Sequence, residues 1–171
     1  MKKTDLPAGH LPLTISNTHH EYNLFAWYNT RVTKKKISLY DYFQPARYSL
    51  SLRESSCQLI IEGKKLPPQS KRIILHQKGL KITAAKIIRN DRRGPTEHDV
   101  VRINHLPTFE QVRLHTADML YPGVYVIELN YQLNPDKLQQ LKKLGEKKPS
   151  RDLLPSIDEP EASGSASFEI K

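Results

Sequence analysis

The chain has 171 residues, with 27 basic against 18 acidic side chains and a formal charge of +9; that length fits one domain with a tail and is enough for a buried core. Its single cysteine, Cys57, excludes an internal disulfide framework and a cysteine-based zinc site. No apolar run approaches the ~18 residues of a membrane span, and the start, Met1-Lys2-Lys3-Thr4-Asp5-Leu6-Pro7, lacks the apolar stretch of a signal peptide, so a soluble, cytoplasmic protein with no membrane partner is expected.

Residues 1–39 read as an irregular, partly disordered leader. Pro7, Gly9 and Pro12 come early, and Tyr22, Phe25, Trp27 and Tyr28 form an aromatic cluster that must dock on this chain or on a partner. Lys34-Lys35-Lys36 separates that cluster from the rest of the chain.

From Tyr40 the texture changes to short runs of Ile, Val, Leu and Tyr between turn residues, a strand rhythm. Tyr48-Ser49-Leu50-Ser51-Leu52 alternates apolar with polar, and Leu59-Ile60-Ile61 makes a short strand closed by Gly63. Pro67-Pro68 is a stiff connection to a strand over Arg72–His76. Leu80 to Ile88 forms the next, with Leu80, Ile82, Ala84 and Lys86 in phase on one face. Asn90 to Pro95 is a turn, followed by strands at Val100–Ile103 and Gln111–His115. Tyr121-Pro122-Gly123 is a second turn. It leads into Val124–Tyr131, where Tyr125, Ile127, Leu129 and Tyr131 form the better core face.

About seven short strands without intervening helices predict a mainly β fold, an antiparallel sandwich or curved sheet, over residues 40–171. One short helix is predicted near the C-terminus. Asn134 caps it, Pro135 takes the first helical position, Leu138, Leu141 and Leu144 share a face, and Gly145 stops it. Ser163-Gly164-Ser165 reads as flexible linker before a strand-like Ala166–Ile170.

The chemistry-bearing residues show no catalytic pattern. None of the seven histidines stands in an H-E-x-x-H context. His19 and His20 are adjacent and diverge on any regular element. Glu97-His98-Asp99 reads as a solvated loop tip, His76 and His115 as structural imidazoles at strand ends, and Cys57 as a small core residue. There is no G-x-S-x-G, P-loop or G-x-G-x-x-G. The basic groups Lys34-Lys35-Lys36, Arg92-Arg93, Lys142-Lys143 and Lys147-Lys148 are dispersed. They read as solvated positive faces, so nucleic acid is not the expected partner.

The segment Ser150–Ala162 stands apart. Leu153, Leu154 and Ile157 are interleaved with Arg151, Asp158, Glu159 and Pro160, which reads as a buried, ordered turn with acidic rim residues. Arg151-x-x-Leu154-Pro155-Ser156-Ile157-Asp158-Glu159-Pro160, followed by Ala166-x-Phe168-x-Ile170, resembles the A-R-x-x-F-P-C-x-D-E-P-x-x-K-A-x-F-x-I stretch of the aminopeptidase N family of zinc metallopeptidases. Three upstream segments resemble that family in the same order. They are Pro45-x-x-Tyr48-x-Leu50-x-Leu52, Ile74-Leu75-His76-x-x-Gly79-Leu80-Lys81-Ile82 and Leu120-Tyr121-Pro122-Gly123-x-Tyr125-x-Ile127.

The resemblance implies a saddle-shaped N-terminal β-domain that packs on a thermolysin-like catalytic domain. The zinc ligands, the general base and the G-A-M-E-N loop of the family belong to that catalytic domain, so this chain is expected to be non-catalytic alone and to hold no cofactor of its own. The implied partners are the aminopeptidase catalytic domain, in cis or as a separate chain, and the N-terminus of a peptide substrate. The family's T-Q-x-E-P-x-x-A-R stretch corresponds here to Lys143–Arg151, which makes Glu146 the candidate for facing the substrate amine. Leu144 stands where Gln is usual, and Ser163-Gly164-Ser165 where a Lys is usual. Arg151, Asp158, Glu159 and Pro160 carry the motif in a structural capacity. The alternative reading is a stand-alone basic β-sandwich that binds anionic partners such as nucleic acid.

Overall fold

Period-two alternation folds as strands. The computed structural model describes residues 38–53, 56–143, 150–162 and 166–170. The chain divides into units 1–35 and 36–171, and every described residue belongs to the second. The Trp27 cluster, Leu144, Gly145 and Glu146 lie outside the described residues.

The strands are β1 (Phe43–Arg53), β2 (Ser56–Lys65), β3 (Ser70–His76), β4 (Lys81–Asp91), β5 (Gly94–His98), β6 (Val100–Leu106), β7 (Gln111–Leu120) and β8 (Gly123–Gln132). Helix α1 (Pro135–Lys143) and strand β9 (Ser167–Ile170) follow, and two short helical turns, Pro107–Phe109 and Pro160–Ala162, complete the described elements. Two sheets result, a larger one in the order β5-β4-β8-β2-β1-β9 and a smaller one in the order β3-β7-β6. All pairings are antiparallel except that of β9 with β1. The described part of the protein is therefore mainly β, with one short helix towards the C-terminus.

Register explains the core. Tyr48, Ile61, Ile127, Ile87 and His98 lie side by side across β1, β2, β8, β4 and β5. Leu50, Leu59, Leu129 and Ala85 make the next row. Because side chains alternate between faces, each row presents one apolar stripe inward. Ile73, Leu75, Val112 and Leu114 of the smaller sheet join the same buried cluster. Tyr125, Ile127, Leu129 and Tyr131 are all fully buried, as their alternation predicts.

Three local readings are corrected by the sheet. Gly63 does not close β2, which runs on to Lys65. A Cβ at Gly63 would stand 2.6 Å from the Gln44 carbonyl oxygen and 2.7 Å from the Phe43 ring, so glycine admits the neighbouring strand. In β4 the pairing shifts between Ile82 and Ala84. This bulge reverses the phase, so Ile82 and Ile87 are buried while Ala84 is exposed. Finally, Glu97 and His98 are not a loop tip. The turn narrows to Arg92-Arg93, and Gly94–His98 pairs with β4 as an edge strand, where the missing N–H of Pro95 is tolerated. His98 then falls on the inward face beside the Tyr125 ring, 6.0 Å between centroids.

Helix α1 starts as its cap predicts, with the Lys137 N–H donating to Asn134 Oδ1 at 2.9 Å. Leu141 is its buried residue. Strand β9 is held by pairing with Arg47–Leu50 and by Glu169, which accepts from Ser49 Oγ and Arg47 at 2.8 Å each. Leu39, on the leader side of the compositional boundary, is buried in the same core.

Candidate functional site

The Arg151–Pro160 turn is anchored first by its apolar residues. Leu153, Leu154 and Ile157 are buried. The polar main chain that they carry inward must find partners, and it finds them on three strands. His76 and Ser156 exchange main-chain hydrogen bonds of 2.8 and 3.0 Å. The Lys78 N–H donates to the Arg151 carbonyl at 2.7 Å. The Ile157 N–H donates to the Tyr48 hydroxyl at 3.1 Å, and the Tyr131 hydroxyl donates to the Leu153 carbonyl at 3.0 Å. The Asp158 N–H donates to His76 Nδ1 at 3.1 Å.

Charge then locks the turn from outside. Arg151 donates through Nε to Asp158 at 3.0 Å and through its terminal nitrogen to Glu110 at 2.9 Å, using the guanidinium fork on two separate carboxylates. Lys78 approaches the second oxygen of Glu110 at 2.9 Å. The hydrogen bond from Lys78, with help from Arg151, holds the Glu110 carboxyl below its usual range against slight desolvation. Glu110 itself sits at φ 50°, the left-handed conformation that ends the short turn Pro107–Phe109.

Glu159 points the other way, into the fold, and its side chain is only 7% exposed. Burial pushes its carboxyl up. The Ser38 hydroxyl, the main-chain N–H groups of Leu39 and Tyr40 at 2.9 and 3.0 Å, and His76 outweigh that effect and hold it below its usual range. His76 Nε2 lies 3.9 Å from Glu159 Oε1. Pro160 opens the short helical turn Pro160–Ala162, whose Ala162 is buried.

Arg151, Asp158 and Glu159 are thus brought together, and each is engaged by the chain's own groups. Their arrangement joins the segment after α1 to β1, β3 and the β6–β7 connection. Among the described residues no three His, Cys, Asp or Glu side chains stand together as a metal-ligand set. Burial raises the Cys57 thiol, which disfavours a reactive thiolate. Burial also lowers Lys65, whose ammonium donates to the Pro68 and Leu66 carbonyl oxygens at 2.7 and 3.3 Å.

His76, Glu110, Lys78 and Ser38 belong to the same constellation. His76 is legible as a structural imidazole at a strand end, but no local signal marks Glu110, Lys78 or Ser38, because each is recruited through a contact distant in sequence; Ser38 and Glu159, for example, are 121 residues apart. No protein-family model matches this chain, and no curated protein matches it.

Proposed function

We propose that residues 40–171 are the N-terminal β-domain of an aminopeptidase N-type zinc metallopeptidase, with no catalysis of its own. The supporting observation is that the segments resembling the family touch one another. Tyr48 of the first bonds Ile157 of the last, and His76 of the second bonds Ser156 and Asp158 of the last. Tyr125 and Ile127 of the third share their core. Residues that resemble a family only as a string have no reason to converge, whereas residues that specify a shared domain do.

In this reading the turn Arg151–Pro160 is a rigid joint. It fixes the path of the chain between α1 and β9 and so helps to orient an adjoining catalytic domain, which supplies the zinc and the general base. Glu146, five residues before Arg151, faces the ammonium of the peptide substrate.

The test uses the purified chain with and without a catalytic domain of that family stripped of its own β-domain. The chain alone is expected to hydrolyse neither leucyl- nor alanyl-arylamide and to retain no stoichiometric zinc after dialysis. Mixed or fused, it should co-elute with the catalytic domain and raise its turnover. Hydrolysis with retained zinc by the chain alone, or no association and no gain, overturns the proposal.

A further inference from the structure

The smaller sheet carries an arrangement that this reading does not use. Along its central strand β7, Val112, Leu114 and Thr116 are buried, so Arg113 and His115 project from the opposite face. The register sets Arg72 of β3 directly beside His115 on one side and Arg102 of β6 directly beside it on the other. Two residues along β7, Arg113 lies between Ile74 and Asn104. Three guanidinium groups from three strands therefore surround one imidazole on one face.

Such a cluster is unfavourable by itself. Arg113 is the diagonal cross-strand neighbour of both Arg72 and Arg102, about 7–8 Å away, and Arg72 and Arg102 face each other across β7 at about 10 Å, so the three cations repel one another within about one Debye length. A guanidinium cannot relieve the repulsion by losing its proton. Among the described residues, none of the three arginines has an acidic partner; the ion pairs are made by Arg47, His76, Lys78, Lys86 and Arg151. Arg113 Nε is buried with no hydrogen-bond partner among them. Asn104 Nδ2 stands 3.5 Å from His115 Nε2.

We propose that this face is a binding site for a single phosphoryl dianion, gripped by Arg72, Arg102 and Arg113 around His115. Guanidinium forks match phosphate oxygens, and a tetrahedral dianion offers acceptors to donors converging from several directions. The charge is compact. Towards the Gln111 end of β7 the next row, His76, Gln111 and Leu106, contributes no further Arg or Lys, so no cationic track of the kind a polyanion backbone follows continues in that direction. Desolvation, reinforced by Arg102, Arg72 and Arg113, keeps the His115 imidazole below its usual range. A bound dianion reverses the sign of that local field and favours the imidazolium, adding a fourth charged donor. The site does not depend on the aminopeptidase reading.

The test is an NMR titration of the whole chain, following the His115 ring and the amides of β3, β6 and β7. Inorganic phosphate should give saturable shifts centred on Arg72, Arg102, Arg113 and His115, and raise the His115 titration midpoint. Chloride at equal ionic strength should do neither. Phosphoserine should reproduce phosphate if the source is a monoester on another molecule, whereas binding of inorganic phosphate alone assigns the site to the free ion. Arg72→Gln and Arg113→Gln should each weaken binding by about tenfold, judged on variants whose amide spectra remain folded. Shifts that do not saturate, or that chloride matches, overturn the site; this outcome is read on the unmodified chain and needs no variant. A single-stranded oligonucleotide that binds while phosphate does not overturns the single-dianion assignment.

Discussion

The main-chain N–H of Asp158 donates to Nδ1 of His76 at 3.1 Å, so a buried imidazole accepts at one nitrogen and carries its proton on the other. That other nitrogen, Nε2, faces Glu159 at 3.9 Å. One side chain on β3 thereby joins two consecutive residues of the turn, one through its main chain and one through its carboxylate. His76→Leu keeps the apolar volume and removes both contacts. It should cost about 1–2 kcal/mol in urea unfolding, with loss of amide protection at Asp158 measured by hydrogen exchange.

Glu159 should make the fold acid-sensitive. Its carboxyl lies below 4.5, its ordinary value, in the folded chain, so folding favours the ionised form. The stabilisation is complete above that value and is lost as the pH falls through the lower folded value. Urea midpoints measured from neutral pH downward should decline across this window. Glu159→Gln should lose about 1–3 kcal/mol at neutral pH and show a flatter decline, because the residue that titrates is gone.

Arg151 offers a contrast between geometry and charge. Lysine keeps the charge but cannot hold Asp158 and Glu110 through a fixed fork. Arg151→Lys should therefore lower the urea midpoint, though less than Glu159→Gln, since Arg151 and both of its partners are partly solvated. The difference from the unsubstituted chain should shrink in about 1 M salt, where exposed ion pairs are screened.

Two glycines test two different constraints. Gly63→Ala drives a Cβ into the Gln44 carbonyl and the Phe43 ring, and should destabilise by about 1–3 kcal/mol through overpacking. Gly79 has open space around it but adopts φ +65°, so Gly79→Ala should cost about 1 kcal/mol through backbone conformation alone. Thermal melts of the two variants should rank in that order.

Much of the β-domain is written in local pattern. The alternation Tyr125-Val126-Ile127-Glu128-Leu129-Asn130-Tyr131 names both the strand and its inward face, because period two needs no partner to be read. The Asn134-Pro135 start of α1 is equally local, since capping involves atoms only three residues apart. The bulge in β4 was not legible: an extra residue in one strand has meaning only against β8, which supplies the pairing that shifts. Nor was β5, whose Gly94 and Pro95 carry turn signals that edge pairing overrides.

The sequence by itself determined the β class, the inward face of β8, the start of α1 and the buried character of Leu153, Leu154 and Ile157, all of which come from side-chain chemistry at short separations. Only the tertiary structure decided that Glu159 is satisfied by Ser38, Leu39 and Tyr40, that Arg151 joins Glu110 to Asp158, and that Arg72, Arg102, Arg113 and His115 share one face. The last depends on strand register, which is set by the burial of apolar rows across the sheets, and the first two on where the buried Leu39, Leu153, Leu154 and Ile157 dock their segments on the core. A polar residue's partners are therefore chosen by the packing of its neighbours, and no window of local sequence contains them.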